Sequence, residues 1–522
     1  MNYTTTTNGA KQYTSSNDVC VDLFSKIGSM RHWDRRDILE YFERAFEHNP
    51  ELATRITYWA RAARAGSGER KTFYTILDEI ARISPTFISD NARTLAEIGY
   101  WKDLIGYCDI PGVLSAFAQA IKDGDRLANK WAPRKGEVAK QLRDELGYTN
   151  KEYRKWLKKH SDTVETKMSN NKWDDIKYSS VPGSAMRRYS RAYDRNDHQR
   201  FDGWKNDDTT KASVSATYPH QIFGVMDQDE KLAEKMWRDL PDFIDTDEII
   251  LPMIDVSGSM YGTALQVAIS LGMYLAERNK SEFKDTFLTF SENPELVKLQ
   301  GDTVGERMAR IGRADWGMNT DFTKAYDLIL QSAITYDVDK SSMPTMLLVL
   351  SDMQFDESQR SSFRSGAMTH FSHMEEEYEK AGYDFPKIVF WNLECHFGTP
   401  AECSNDSVAM VSGFSPSIMK AILNAEEFNP ISVMMEALKP IDDLRQRDIN
   451  LNAKMTRFMF RNGFHLDGSV APLDRLLDLG GPVFGRHVDV PPRDRAPIAS
   501  LVPSRACTGT PAALPTASSL QR

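Results

Sequence analysis

Two hydrophobic periodicities divide the chain. From Asn17 to about residue 120, apolar positions recur every three or four residues. Ile38, Leu39, Phe42, Ala45 and Phe46 form one such stripe, the spacing that the buried face of an amphipathic helix requires. Asn49-Pro50 ends it. Leu52, Ile56, Trp59, Ala60 and Ala63 form a second stripe, closed at Gly66-Ser-Gly68. Phe73, Ile76, Leu77 and Ile80 mark a third helix, and Asn91 to Ile98 a fourth. Another opens at Tyr100, after Gly99. Helices of this length joined by short turns predict an antiparallel helical-repeat array, although no strict repeat period is visible. Its last helix lies near Asp229–Leu240, before a boundary at Pro241.

From Glu248 the pattern becomes strand–helix alternation, which predicts a doubly wound α/β domain. Ile249–Ile254, Asp285–Phe290, Thr345–Leu350 and Lys387–Leu393 read as strands, and Glu295–Leu299 as a strand beside the second. Helices are expected at Ala264–Arg278, Val304–Ile311, Phe371–Ala381, Pro416–Leu423 and Ile431–Leu438, with one more running through Leu330. The fold class is therefore multidomain, all-α followed by α/β. The expected division is a disordered N-terminus over 1–16, a helical domain over 17–243, an α/β domain over 244–440, and an atypical, largely disordered tail over 441–522 that is rich in Pro, Arg, Ala, Ser and Thr.

Composition narrows the class. The 522 residues are too many for one core. The net charge is −9, so the chain as a whole is not a basic nucleic-acid binder. No apolar run approaches the length of a membrane span, and the N-terminus has no signal-peptide core. Five scattered cysteines point to reduced thiols and a cytoplasmic location.

One segment reverses the overall charge. Residues 126–172 hold thirteen Lys and Arg against six Asp and Glu, with Trp131, Tyr148, Tyr153 and Trp156 interleaved. More cations follow at Arg187, Arg188 and Arg191. Cations at this density beside flat rings suit a phosphate backbone and unstacked bases. Solvated helix faces with their aromatics turned to the core would give the same pattern. The candidate RNA contacts are Lys130, Arg134, Lys135, Arg154, Lys155, Lys158, Lys159, Arg187 and Arg188.

The strand Ile249–Ile254 runs into Asp255-Val-Ser-Gly-Ser259. Asp255, Ser257 and Ser259 then stand at its carboxyl end, where open α/β sheets bind ligands. Thr320 lies in a loop between strands, and Asp352 ends the strand Thr345–Leu350. In a parallel sheet these loops emerge at one edge. Five oxygen donors there suit a hard divalent cation, Mg²⁺ or another such as Mn²⁺, with a coordination position left open. Ser257 and Ser259 acting only as helix caps is the alternative. Asp321, Asp356 and Glu394 lie near enough to substitute for or tune a ligand.

The D-x-S-x-S, Thr, Asp set resembles the metal-ion-dependent adhesion site (MIDAS) of von Willebrand factor A domains, in which a partner's carboxylate completes the shell. The helical array before it resembles the TROVE-plus-von-Willebrand-A arrangement of the Ro autoantigen group. Residues 20–440 are similar to an uncharacterised cytoplasmic family of that architecture in plants, bacteria and large DNA viruses. The phrases that carry this are Ala65-Gly-Ser-Gly-Glu-Arg70, Gly99-Tyr-Trp-Lys-Asp-Leu104, Lys130-Trp-Ala-Pro-Arg-Lys-Gly136, Val181-Pro-Gly-Ser-Ala185, Ala314-Asp-Trp-Gly-Met-Asn-Thr320, Ser351-Asp-Met-Gln-Phe355, Phe390-Trp-Asn-Leu393 and Val411-Ser-Gly-Phe-Ser-Pro416. The resemblance implies a TROVE-like array that binds small structured or single-stranded RNA, beside a metal-dependent docking domain.

The expected function is thus a non-enzymatic RNA-binding ribonucleoprotein component whose metal site docks a protein partner through a carboxylate. The alternative is a metal-dependent protein–protein scaffold with no RNA role. Cys395, His396 and Cys403 lack the paired spacing of a structural zinc site. Gly66-Ser-Gly-Glu-Arg-Lys71 lacks phosphate-loop spacing. Metal-assisted hydrolysis lacks an identifiable general base.

Overall fold

In a computed structural model the described residues are 3–6, 11–244, 246, 248–289, 294–311, 322–354, 367–394 and 396–445. Between Val19 and Arg238 the described secondary structure is helical, and the helix ends follow local chemistry. Asp18 accepts from the backbone N–H groups of Cys20 and Val21 to start Val19–Ile27. Asn49 caps Pro50–Arg61, with Pro50 in the first turn where its missing N–H costs nothing. Thr149 and Glu152 form a capping box at the start of Asn150–Ser161. Gly147, left-handed at φ 67°, closes Glu137–Leu146. The helix expected from Tyr100 is instead a 3₁₀ stretch, Trp101–Tyr107.

The α/β part is one six-stranded sheet. Counting from an N-terminal hairpin, β1 (Tyr3–Thr5) and β2 (Lys11–Tyr13), its strands are β3 (Ile250–Ile254), β4 (Thr286–Thr289), β5 (Leu296–Lys298), β6 (Met346–Ser351), β7 (Lys387–Asn392) and β8 (Val408–Ser412). The order is β5-β4-β3-β6-β7-β8, parallel throughout except for the antiparallel edge strand β5. Every residue of β3, β6 and β8 is buried, as expected of strands covered on both faces. β3 tolerates Pro252 in mid-sheet for a local reason. Its missing N–H faces the β4 side, and β4 pairs only with Met253 and Ile254.

The chain reverses its direction of winding between β3 and β6, the topological switch point where such sheets form ligand crevices. Ile254 is in register with Leu350 across that junction. Asp255 and Asp352 therefore leave two adjacent strands on the same edge.

The helical part docks on the α/β part in several places. Gly28 donates its N–H to Ser412 Oγ at 3.0 Å, and a Cβ at that glycine would lie 2.5 Å from the Ser412 carbonyl oxygen. Arg31 bonds the carbonyl of Leu393 at 3.0 Å and lies 3.6 Å from the Phe414 ring centre. Arg55 pairs with Asp442, and Trp237 Nε1 donates to Glu277 at 2.7 Å. The buried apolar residues of both parts form one continuous core.

Two expected boundaries are corrected. Within 1–16, expected to be disordered, the described residues are ordered: Tyr3–Thr5 pairs with Lys11–Tyr13 and Tyr13 bridges Thr399. Buried Tyr13 and Gln12 supply the packing that the polar sequence does not advertise. The boundary at residue 440 falls inside the helix Pro430–Arg445, which carries Pro440. The remaining tail, residues 446–522, lies outside the described residues. Among the described residues, no helix is long and apolar enough to cross a membrane.

Candidate functional site

At the carboxyl end of β3 the chain turns sharply. Asp255 is 1 % exposed and still held in the ladder, its N–H donating to the Leu350 carbonyl at 3.0 Å. Asp255 Oδ1 accepts from the Ser257 N–H at 2.8 Å, and Oδ2 accepts from Ser351 Oγ at 2.6 Å. A 3₁₀ turn, Gly258–Met260, follows, anchored by buried Met260. It leaves the Ser257 and Ser259 hydroxyl oxygens 3.0 Å apart, half-buried and exposed respectively.

Asp352 is also 1 % exposed. Its Oδ1 accepts from the Gln354 N–H at 3.0 Å, and Met353 between them has a left-handed φ of 63°. Asp352 Oδ2 is buried with no hydrogen-bond partner. His396 Nε2 stands 3.7 Å from it. Burial first, and then the neighbouring charge of Asp352, pushes the Asp255 carboxyl up to about 6. Two buried carboxylates that repel each other, one with an unsatisfied oxygen, form an electronegative edge that a cation would stabilise. All four described donor side chains offer oxygen, the chemistry of Mg²⁺ or Mn²⁺ sites. Among the described residues no array of three or more His, Cys, Asp or Glu is gathered for a metal.

Of the expected ligands, Asp255, Ser257, Ser259 and Asp352 are brought to this edge. Thr320, and also Asp321, Asp356 and Cys395, lie outside the described residues. Glu394 pairs with Arg31 at 3.8 Å and His32 at 3.9 Å; burial raises its carboxyl, and it also feels the charges of His396 and Asp352. Two participants were not anticipated. Ser351 positions Asp255 and accepts from the Met353 N–H at 3.0 Å. Its place directly before Asp352, one step past Leu350, was the available signal. His396 is the other, hidden in the sequence by its apparent kinship with Cys395 and Cys403.

A second site lies in the helical part. A groove of about 750 Å³ is lined by Lys130, Arg134, Lys135, Arg154, Lys158 and Arg188. Trp131 and Glu165 complete its charged and aromatic wall, with Ser161, Thr163 and Thr166 among its hydroxyls. Six cations thus face one carboxylate. Lys130 Nζ is 3.5 Å from Glu165, and Lys102 and Lys130 each stand 5.4 Å from the Trp131 ring centre. Packing gathers these residues from four helices, Arg126–Trp131, Asn150–Ser161, Val164–Ser169 and Gly183–Lys205, and from the turn after the first.

Three expected contacts are not in the groove. Lys155 and Lys159 are exposed elsewhere on Asn150–Ser161. Arg187 is half-buried, donates to the Gln221 carbonyl at 3.0 Å, and has its pKa lowered by burial and by Arg188. Most of the aromatics are structural. Tyr153 is fully buried and donates to the Pro133 carbonyl at 3.0 Å, and Trp156 donates to the Ile121 carbonyl at 3.0 Å. Tyr148 packs on Trp156.

Residues 6–110 and 112–244 match a family model described as "Domain of unknown function (DUF2828)", and residues 250–456 one described as "Domain of unknown function (DUF7788)". An uncharacterized protein of Acanthamoeba polyphaga mimivirus is 29% identical over 507 residues, covering 84% of this chain and 88% of the viral protein. The crystal structure of the Deinococcus radiodurans RO (RSR) protein aligns over 81% of this chain and 93% of that chain, at 13% identity and a TM-score of 0.31, too low to carry an argument.

Proposed function

We propose that this chain is a non-enzymatic, cytoplasmic RNA-binding component of a ribonucleoprotein particle. The groove lined by Lys130, Arg134, Lys135, Arg154, Lys158 and Arg188 takes the phosphates of a small structured or single-stranded RNA, with Trp131 available to stack on a base. The observation that carries this reading is six cations facing one carboxylate in a concave site, within a chain whose net charge is −9. The sequence resemblance to the TROVE-plus-von-Willebrand-A arrangement supports it.

Asp255, Ser257, Ser259 and Asp352, with Thr320, are the residues that hold a divalent cation at the sheet edge. A bound cation supplies an electrophilic position that an acidic side chain of a protein partner can occupy. This chain's own part is to bury the two carboxylates, fix Asp255 through Ser257 and Ser351, and present the two hydroxyls.

The test is RNA binding by the full chain as a function of NaCl. Replacing Arg154 and Lys158 by Glu should weaken binding at least tenfold and flatten the salt dependence. Salt-insensitive binding, or none, would refute the reading. The unpartnered, buried Asp352 Oδ2 favours a second reading, a metal-dependent scaffold without RNA. Under it, partner capture is lost in Asp255→Ala and survives nuclease treatment.

A further inference from the structure

The helix Asn150–Ser161 carries more positive charge than the groove uses. Lys151, Arg154, Lys155, Lys158 and Lys159 are all exposed. None is in an ion pair among the described residues. The helix's one acid, Glu152, is occupied at the N-terminus, its carboxylate accepting from the Thr149 N–H at 2.9 Å and the Thr149 hydroxyl at 2.7 Å.

At about 100° per residue, these five cations span one continuous arc of about 140°. Tyr153, Trp156, Leu157 and Ser161 occupy the opposite arc, buried or half-buried against neighbouring helices. Arg154 and Lys158 lie at one side of the basic arc and line the groove. Lys151, Lys155 and Lys159 form a second row outside it, rising about 6 Å per step.

An ordinary solvated face mixes charge signs, because like charges three or four residues apart weaken a helix. Here every such pair among the five is like-signed. The helix dipole favours Lys158 and Lys159 in the last turn, but it disfavours Lys151 in the first and does nothing for Lys155. Fold stability therefore does not account for the outer row, whereas a polyanion on the crest of the helix does.

Resting on the groove's role in RNA binding, we propose that the RNA strand leaves the groove and continues over the crest of this helix, its phosphates following Lys151, Lys155 and Lys159. The ligand class is then a single-stranded RNA longer than the groove can hold, and affinity has a length threshold. The two rows divide the work. Arg154 and Lys158 serve every RNA that enters, and the outer row serves only strands long enough to emerge.

The test compares wild type with the triple variant Lys151→Gln, Lys155→Gln, Lys159→Gln, using oligouridylates of about 4 and about 16 nucleotides over a range of NaCl. For the longer oligonucleotide, the triple variant should bind severalfold more weakly, with a log–log salt slope shallower by about 2, three lost contacts at roughly 0.7 each. The shorter one should bind the two proteins equally. The variant's melting temperature should be no lower than wild type, since glutamine keeps the helix and relieves the repulsion. Equal weakening of both lengths, or of neither, overturns the proposal. An Arg154→Gln, Lys158→Gln variant should weaken both lengths. If wild type binds neither oligonucleotide but binds a structured RNA, this inference alone falls; if it binds no RNA, the proposed function falls with it.

Discussion

Replacing Asp352 by Asn separates a metal-binding carboxylate from a merely structural one. The substitution keeps the side-chain shape and the oxygen that accepts from the Gln354 N–H, and removes only the charge. In the metal-free protein that charge is a liability. The Asp255 carboxyl is raised from 3.8 to about 6, roughly two pH units, which corresponds to ~3 kcal/mol of penalty on its ionised form at neutral pH. Burial is the larger cause and Asp352 the second, so removing the Asp352 charge should recover ~1 kcal/mol.

In EDTA the Asp352→Asn protein should therefore melt roughly 1 °C above wild type. With Mg²⁺ or Mn²⁺ at a hundred times its Kd, wild type gains about 2.7 kcal/mol by linkage, and the variant, short of one charged ligand, gains little. The order of stabilities inverts between the two buffers. Thermal denaturation of both proteins, with and without divalent cation, reads this directly. A structural acid would leave the variant weaker in both buffers. The same order in EDTA and in metal would refute the reasoning.

Three further outcomes follow from the junction between the two parts. Arg31 donates to the Gly28 and Leu393 carbonyls at 2.8 and 3.0 Å and stands 3.3 Å from Glu69, so Arg31→Ala should lower stability by ~3 kcal/mol in urea unfolding, and a loss under ~1 kcal/mol would show the contacts to be incidental. Gly28→Ala forces a methyl against the Ser412 carbonyl and should lower stability by ~1–3 kcal/mol, whereas Gly224→Ala, with nothing within 4 Å, should be neutral or stabilising by ~0.5–1 kcal/mol; similar effects at both sites would contradict the packing argument. The His220 ring packs near Phe414 with its Nδ1 buried and unpartnered, and burial, then Arg187 and Arg31, pushes its pKa down to about 3. Because the unfolded chain takes up this proton near its ordinary value of 6.5 and the fold resists it until about 3, stability should fall as pH drops through that window. His220→Phe should show a shallower fall in melting temperature between pH 6.5 and 4.5, and parallel curves for the two proteins would count against it.

The sheet was legible because its strands are continuous apolar runs alternating with helices, whereas their order comes from the structure. The gathering of Asp255, Ser257, Ser259 and Asp352 at one sheet edge was legible for the same reason, since acids and hydroxyls that interrupt apolar runs stand out. Three features were not. β8 is a short run between Asp406-Ser407 and Gly413 to which no strand was assigned, yet its five residues are all buried beside β7. The hairpin β1–β2 is polar, and its order comes from long-range docking of Tyr13 on Thr399, which no local pattern encodes. The basic segment announced its charge but not how that charge is divided. Arg187 turns inward because Gln221, on a helix that follows a polar connection, offers a carbonyl. Lys130 and Arg188, far apart in sequence, meet in one groove.

The junction places a constraint on any partner of the metal edge. Asp352 ends β6, and the segment after the neighbouring strand β7 supplies both His396, beside Asp352, and the Leu393 carbonyl that Arg31 holds. Farther along, the same segment takes Tyr13 at Thr399 and the Ser16 carbonyl at Cys403. One side of the metal edge is thus built on the helical part. Tyr261, two residues past Ser259, is 90 % exposed and followed by Gly262, around which there is open space. A group approaching Asp255 and Asp352 from outside therefore meets, on the side of His396 and Leu393, a surface built jointly with the helical part rather than a free α/β domain. Mutations in the first thirty residues, remote from every ligand in sequence, should accordingly be read for effects on this edge as well as on the fold.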